Sequence, residues 1–493
     1  MTSTVARARR VSLFGVPGIA VAGALVGAAA VVLLLPNKLA VILLMAAALA
    51  FVVATRVDLA VAIFVFVIFT EAANVAVKGA GFTLLAELIT GLVLLAHLGD
   101  RRWVGTRSGV GRVVLCVVPF VLWSLASFFW AELPVPVLSR FADHLRYLGI
   151  ALVLVAAIRT ERTLRFAVWG IIAGGAFLGT VAVLQAVLRS GASDFFFGFG
   201  GVQLQGLGTG EAGERVVGPL GDANFFAQRM VVVLPFAVER AVNGRHVGAR
   251  LVAGLTVVVT LATIVLTYSR GGALAGGVVL LVCLFHFLPA RRALVVLGVL
   301  ALATMLLAPR PYVDRVLALR GVTSVGTTED SSVRGRTSAV LVGITMFEDH
   351  PFLGVGTLQY PLHYADYATT IGLDPVVGRA PHNLYVEVAS ENGIVGVVLF
   401  GAMLVVALRS SSTGMRRLRA ADRGGAAEAV WAVRTALVGY LVAALFLHFA
   451  YPRVLFTLIA MCIAAPFLVE ALPARPRPLA VVEPGRPPAP VPV

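Results

Sequence analysis

Residues Pro381–Gly396, Pro-His-Asn-Leu-Tyr-Val-Glu-Val-Ala-Ser-Glu-Asn-Gly-Ile-Val-Gly, are the stretch of this chain best suited to chemistry. They read as a loop ending in a helix start. Asn383 is a candidate N-cap, its side chain accepting from the amides of Tyr385 or Val386. His382 then sits just outside the positive end of that helix. The field there disfavours imidazolium and favours the neutral ring that a general base needs at pH 7. The same residues fit a plain capping segment whose histidine merely rests at an interface, and spacing alone leaves the two readings level.

Other candidates are weaker. His350 lies in a Glu-Asp-His-Pro turn that imitates a metal site, but one acidic pair is poor evidence for a metal. Glu71 and Glu87 fall inside apolar runs, where an ionisable group is costly; each could sit near the external mouth or pair with a base on another span. Asp143 and Arg146, three apart on a helix, can satisfy each other. His97, His286 and His448 lie near span ends and read as interfacial. Cys116, Cys283 and Cys462 all fall in apolar runs and read as small buried residues, so no disulfide framework and no zinc spacing is expected.

The elements that must position these residues are membrane helices. Of 493 residues, 59% are hydrophobic and 13% charged, and the mean hydropathy is +0.94. A soluble domain carries about 25% charged residues. Apolar runs of roughly 18 residues or more recur from end to end, as in a polytopic helical protein, and the alternation of a membrane β-barrel is absent. A lone cleavable signal peptide does not account for so many runs. The net charge of +15, nearly all from arginine, would suggest nucleic acid in a soluble domain. Here it lies mostly in short loops between spans, so no nucleic-acid partner is expected.

The runs give about fourteen spans, near 13–35, 38–54, 59–77, 82–98, 113–130, 141–158, 166–188, 223–241, 251–268, 271–288, 293–308, 385–408, 429–449 and 454–471. The pairs at 13–54 and 251–288 are joined tightly enough to merge or form a re-entrant turn. Arg7, Arg9 and Arg10 place the N-terminus in the cytoplasm, and every second loop then collects bases, for example Arg159, Arg162 and Arg165, or Arg240, Arg245 and Arg250. The loops 189–222 and about 309–384 fall on the opposite, external face. Within the second, Val340, Leu341, Ile344 and Phe347 recur at helical spacing, which predicts an amphipathic helix lying on the membrane-embedded part. The chain therefore divides into N-terminal membrane helices (1–188), helices with external arginine motifs (189–308), the large external loop (309–384), C-terminal membrane helices (385–472) and a Pro/Arg-rich disordered cytoplasmic tail (473–493).

Segment 381–396 resembles the signature of the O-antigen ligase and polymerase superfamily, in which a His-Asn pair opens the helix after a large periplasmic loop. Upstream, Val333-Arg334-Gly335-Arg336-Thr337 and Phe347-Glu348-Asp349-His350-Pro351-Phe352-Leu353-Gly354-Val355-Gly356 resemble the loop pattern before that histidine. Arg215–Asn224 resembles the segment entering the span before the ligase core, and Tyr268-Ser269-Arg270-Gly271-Gly272 its Ser-Arg-Gly turn. Together these cover about 215–400 in order.

The resemblance implies an all-α polytopic bundle of about 12–14 spans with short helices in its long external loop. It implies a metal-independent glycosyltransferase of a bacterial cytoplasmic membrane, with its site on the outer face and no cofactor. The donor is a glycan on a polyprenyl diphosphate carrier; the acceptor is a hydroxyl on a lipid, glycan or protein, and membrane lipids surround both. His382 is the base. Arg215, Arg270 and Arg336 hold the diphosphate, with Arg334 an alternative to Arg336; arginine suits this because its planar fork binds phosphate oxygens in pairs. Asp222, Asn224 and Asn383 support the site, plain helix capping fitting the first two equally well, and Gly271-Gly272 would let backbone approach a phosphate. A repeat-unit polymerase of the same superfamily is the near alternative, and a transporter or flippase the alternative from another class.

Overall fold

The computed structural model describes residues 57–75, 107–192, 194–206, 212–307, 331–449 and 452–468. The spans expected near 13–35, 38–54 and 82–98, Glu87, His97, the first part of the large loop and the tail from 473 lie outside the described residues.

Helix α1 is Val57–Thr70, α2 Arg107–Ala126, α3 Pro134–Ala157 and α4 Glu161–Val187. A hairpin follows, β1 Val202–Gly206 and β2 Ala212–Val216, antiparallel with Gln203 opposite Arg215. Then come α5 Ala223–Asn243, α6 Val247–Leu266, α7 Arg270–Phe287 and α8 Ala290–Leu307. The large loop contributes α9 Ser331–Asp349 and α10 Tyr360–Thr370, and the chain ends in α11 Leu384–Ala420, α12 Gly424–Ala443 and α13 Arg453–Ala464. Among the described residues six helices are long and apolar enough to cross a membrane, in α2, α4, α6, α7, α11 and α12 with their short extensions. The protein is a multi-pass α-helical membrane protein.

Helix boundaries follow local chemistry. Pro134 opens α3, where a missing amide costs nothing. Thr160 and Thr163 exchange hydrogen bonds in a capping box that starts α4. The pair 251–288 is two helices, because the chain breaks at Thr267–Ser269 and Tyr268 adopts φ +52°.

The centre of the bundle is α5, buried on all sides between Phe225 and Ala237 and packed on α4, α6, α7 and α12. Such all-round burial forbids an unpaired charge, yet Arg229 lies midway along it. Its guanidinium is 3% exposed and meets Glu71, 1% exposed, at 2.9 Å; Arg453 reaches the other Glu71 oxygen at 2.9 Å. Glu71 thus pairs with bases on other helices, one of the two readings its sequence position allowed. Asp143 and Arg146 pair at 3.0 Å, and all three cysteines are buried and unpaired.

The large loop has a small core of its own around Ala339, Val342, Met346, Tyr360 and Tyr364. The predicted helix is present, but its buried face is another one. Ala339, Val342, Gly343 and Met346 are buried while Leu341 and Ile344 are each 44% exposed. Closeness decides this: a Cβ on Gly343 would lie 2.2 Å from Val386, so a small-residue face docks where bulkier side chains do not fit.

Helix α11 differs from expectation too. Gly393 sits inside it at φ 62°, ψ −167°, which divides it into a short first segment and a long spanning one. At the break the loop takes over the helix's partners: the amides of Val355 and Gly356 donate to the Ser390 and Glu391 carbonyls at 2.9 Å, and Ile394 donates to Pro351 at 2.8 Å. The Glu391 carboxylate accepts from the amides of Leu358 and Tyr360. The His-Pro-Phe-Leu-Gly-Val-Gly and Ser-Glu-Asn-Gly segments are therefore one packed unit.

Candidate active site

Three helices begin at one end of the bundle, each with a side-chain cap. Asn383 caps α11, accepting from Tyr385 at 2.9 Å and Val386 at 3.1 Å, the two amides expected from spacing. Asp222 caps α5 through the amides of Asn224 and Phe225 at 2.7 and 3.1 Å. Ser269 caps α7 through Gly272 at 3.2 Å. His382 precedes the α11 cap with φ +50°, a left-handed conformation that histidine adopts more readily than a β-branched residue.

Side chains knit the three ends together. The Asn224 side chain does not cap. Its Oδ1 accepts from Ser269 Oγ at 2.9 Å and from Arg215 Nη2 at 3.3 Å, joining α5 to α7 and to the hairpin. Arg215, 4% exposed, also donates from Nε to the Thr267 carbonyl at 2.8 Å, at the end of α6. His448, read from sequence as interfacial, lies against both His382 and Phe225, with ring centroids at 5.6 and 5.0 Å. The following residue is gripped at both ends of its peptide unit: the Phe449 amide donates to Glu387, and its carbonyl accepts from Arg140 at 2.9 Å.

Burial, first, and the Arg336 guanidinium, second, hold His382 below the usual imidazole range; Arg379 adds to this and Asp222 opposes it. Burial, rather than the helix field invoked from the sequence, is the main cause of this lowering. His448 is pushed down to about 4, mainly by burial. Arg336 is half-buried on α9 and Arg334 exposed, so Arg336 is the member of that pair whose charge acts on His382.

Arg379 was missed by the sequence reading. Its Nη1 donates to the Gly335 carbonyl at 3.0 Å and its guanidinium lies 5.5 Å over the Tyr364 ring, tying the end of the loop to α9. Its place three residues before His382 was the available signal. Arg270, half-exposed, is the first residue of α7. The glycines after it serve packing: a Cβ on Gly271 would meet Phe446 at 2.9 Å and one on Gly272 would meet Ala227 at 2.4 Å, while the Gly272 amide is already donated to Ser269. His350 is exposed in a turn closed by the Gly354 amide. Among the described residues no group of three His, Cys, Asp or Glu side chains is placed to hold a metal.

Residues 255–401 match the family model described as O-antigen ligase. The match supports the O-antigen ligase superfamily. No curated protein matches the chain. The matched segment runs from α6 into α11 and holds Arg270, Arg336, Arg379, His382 and Asn383. Arg215, Asp222, Asn224 and His448 lie outside it. The hydrogen bonds from Arg215 to Thr267 and from Ser269 to Asn224, and the ring contact of His448 with His382, join them to it. The family matched by that segment points to a glycosyltransferase-like membrane enzyme.

Proposed function

We propose that this protein transfers a glycan from a polyprenyl diphosphate carrier to an acceptor hydroxyl, at the extracytoplasmic face of the bacterial cytoplasmic membrane. One observation carries the reading: a buried histidine, in surroundings that disfavour its charged form, stands where three helix N-termini and several arginines meet. Helix N-termini and arginine side chains favour a diphosphate, whose negative charge grows as it leaves.

In this reading His382 takes the acceptor proton while the acceptor oxygen bonds to the anomeric carbon. The bond from that carbon to the phosphate oxygen breaks, and its electron pair departs with the diphosphate. Arg270 and Arg336 hold that group from half-exposed positions and Arg215 from within the hairpin, with Arg379 beside them. Asp222, Asn224 and Asn383 fix the helix starts. The proton transfer needs no metal.

The test is turnover of purified His382→Ala beside wild type, with a polyprenyl diphosphate-linked glycan and acceptor, in chelator. We expect a loss of at least about 100-fold, the usual contribution of a positioned base, with donor binding retained because it rests on the arginines. Full turnover by the variant removes His382 as base, and wild-type loss in chelator restored by a divalent ion removes the metal-free step.

A further inference from the structure

At the end of the bundle opposite His382 there is a cavity of about 440 Å³ between the start of α4, the end of α5, the start of α6 and the turn from α11 to α12. Arg240 lines the cavity and Asn224 belongs to the site around His382; their separation along α5 is roughly 24 Å at 1.5 Å per residue. The cavity is therefore not part of the site described above.

Its walls are built for an anion. Four arginines line it, with Glu161 and Asp422 as the carboxylates among them. Arg423 is held by Glu161 at 3.6 Å, and Arg240 is held by Glu239. Arg165 and Arg245 have no ion pair among the described residues. Two helices start here without a side-chain cap, α6 after His246 and α12 after Arg423. Gly424 and Gly425, the first two residues of α12, line the cavity, and a Cβ on either would meet nothing within 4 Å. Their amides donate to no protein acceptor among the described residues. Arginine forks and open first-turn amides together suit phosphate oxygens.

A second feature indicates where the phosphate comes from. Val247, Leu251, Leu255 and Val258 are all exposed and recur along one face of α6, starting at the cavity rim. An apolar track leading away from a basic pocket fits an acyl chain below its headgroup. We propose that this cavity binds the phosphate headgroup of an anionic membrane lipid, with Arg165, Arg245 and the α12 first-turn amides as its ligands. The lipid braces the joints between α4, α5, α6 and α12 from the end remote from His382.

The experiment is thermal unfolding of the full-length protein in detergent, with cardiolipin, phosphatidylcholine or inorganic phosphate added. The variants are Arg165→Gln/Arg245→Gln and, elsewhere on the chain, Arg291→Gln/Arg292→Gln. Cardiolipin should raise the wild-type unfolding temperature by several degrees and phosphatidylcholine should not. The Arg165/Arg245 variant should lose that shift and the Arg291/Arg292 variant keep it. Should the Arg165/Arg245 variant fail to fold, Arg245→Gln alone, on an exposed turn, is expected to halve the shift or more. A shift from inorganic phosphate alone, equal to that from cardiolipin and lost in the same variant, would overturn the lipid assignment in favour of a soluble anion. Equal shifts in wild type and both variants, or none in wild type, overturn the site itself.

Discussion

His382 and its neighbours make the pH dependence of transfer a test of who sets its charge. Arg336 disfavours imidazolium and so lowers the His382 pKa, whereas Asp222 favours it and raises the pKa. Activity should therefore be full at neutral pH and fall on the acid side, below the range of an ordinary imidazole. In Arg336→Gln the falling limb should move to higher pH, because a group that depresses the pKa has been removed. In Asp222→Asn, which retains a capping oxygen, it should move to lower pH. The pH profile of turnover in the two variants checks this, and limbs that move together or not at all would dissociate the proton step from His382. The arginines separate in the same way. Arg215→Lys cannot reach both the Thr267 carbonyl and Asn224, so it should lower the unfolding temperature and transfer together. Arg270→Lys, at a half-exposed helix start, should keep the unfolding temperature and weaken donor binding about tenfold, read as a rise in donor KM.

The element on which the site depends most is the broken helix α11. Gly393 has a backbone conformation open essentially to glycine alone, and a Cβ there would lie 2.2 Å from the Phe352 carbonyl oxygen. Gly393→Ala should therefore destabilise the protein by about 2–4 kcal/mol. Gly401→Ala, eight residues along the same helix with nothing near its Cβ, should be neutral or stabilising by up to about 1 kcal/mol. Unfolding temperatures of the two variants in one detergent give the comparison, and equal effects would mean that the break is not what holds the loop. The break also explains how a loop residue comes to act on His382. Arg336 rides on α9, α9 docks on the first segment of α11 through Gly343 and Val386, and that segment begins at the residue after Asn383.

Across the whole molecule the proposal requires the large loop and the α11–α12 turn to lie on opposite sides of a membrane. The chain's own cysteines are all buried, so an introduced thiol reports with little background. Val377→Cys, at a position 85% exposed in the loop, should react with a membrane-impermeant maleimide in intact spheroplasts. Arg416→Cys, exposed near the end of α11, should react only after permeabilisation. Labelling of both from the same side would put His382 in the wrong compartment for a lipid-linked donor. The buried Glu71–Arg229–Arg453 cluster works at this scale as well, tying α1, α5 and α13 together from inside the bundle. Losing one partner of such a buried pair costs about 3–5 kcal/mol, because the other charge is left without compensation.

The sequence by itself determined the features that depend on local chemistry. Apolar runs specify membrane helices because only a helix satisfies its own backbone in lipid. Asn383 and Asp222 specify caps because a short acceptor side chain just before a helix meets free amides. The tertiary structure decided whatever depends on which surfaces approach. No periodicity distinguishes Ala339 and Gly343 from Leu341 and Ile344 as the docking face of α9, because the choice turns on how closely Val386 can come. Nor does spacing show that Asn224 bridges two helices and a hairpin, that Glu71 finds Arg229 158 residues away, or that His448 reaches His382. Residues distant in sequence meet only when the bundle packs, and packing at that distance leaves no pattern in the chain. The residue types proposed as a base and as anion ligands were legible in sequence; what brings them near His382 is tertiary contact.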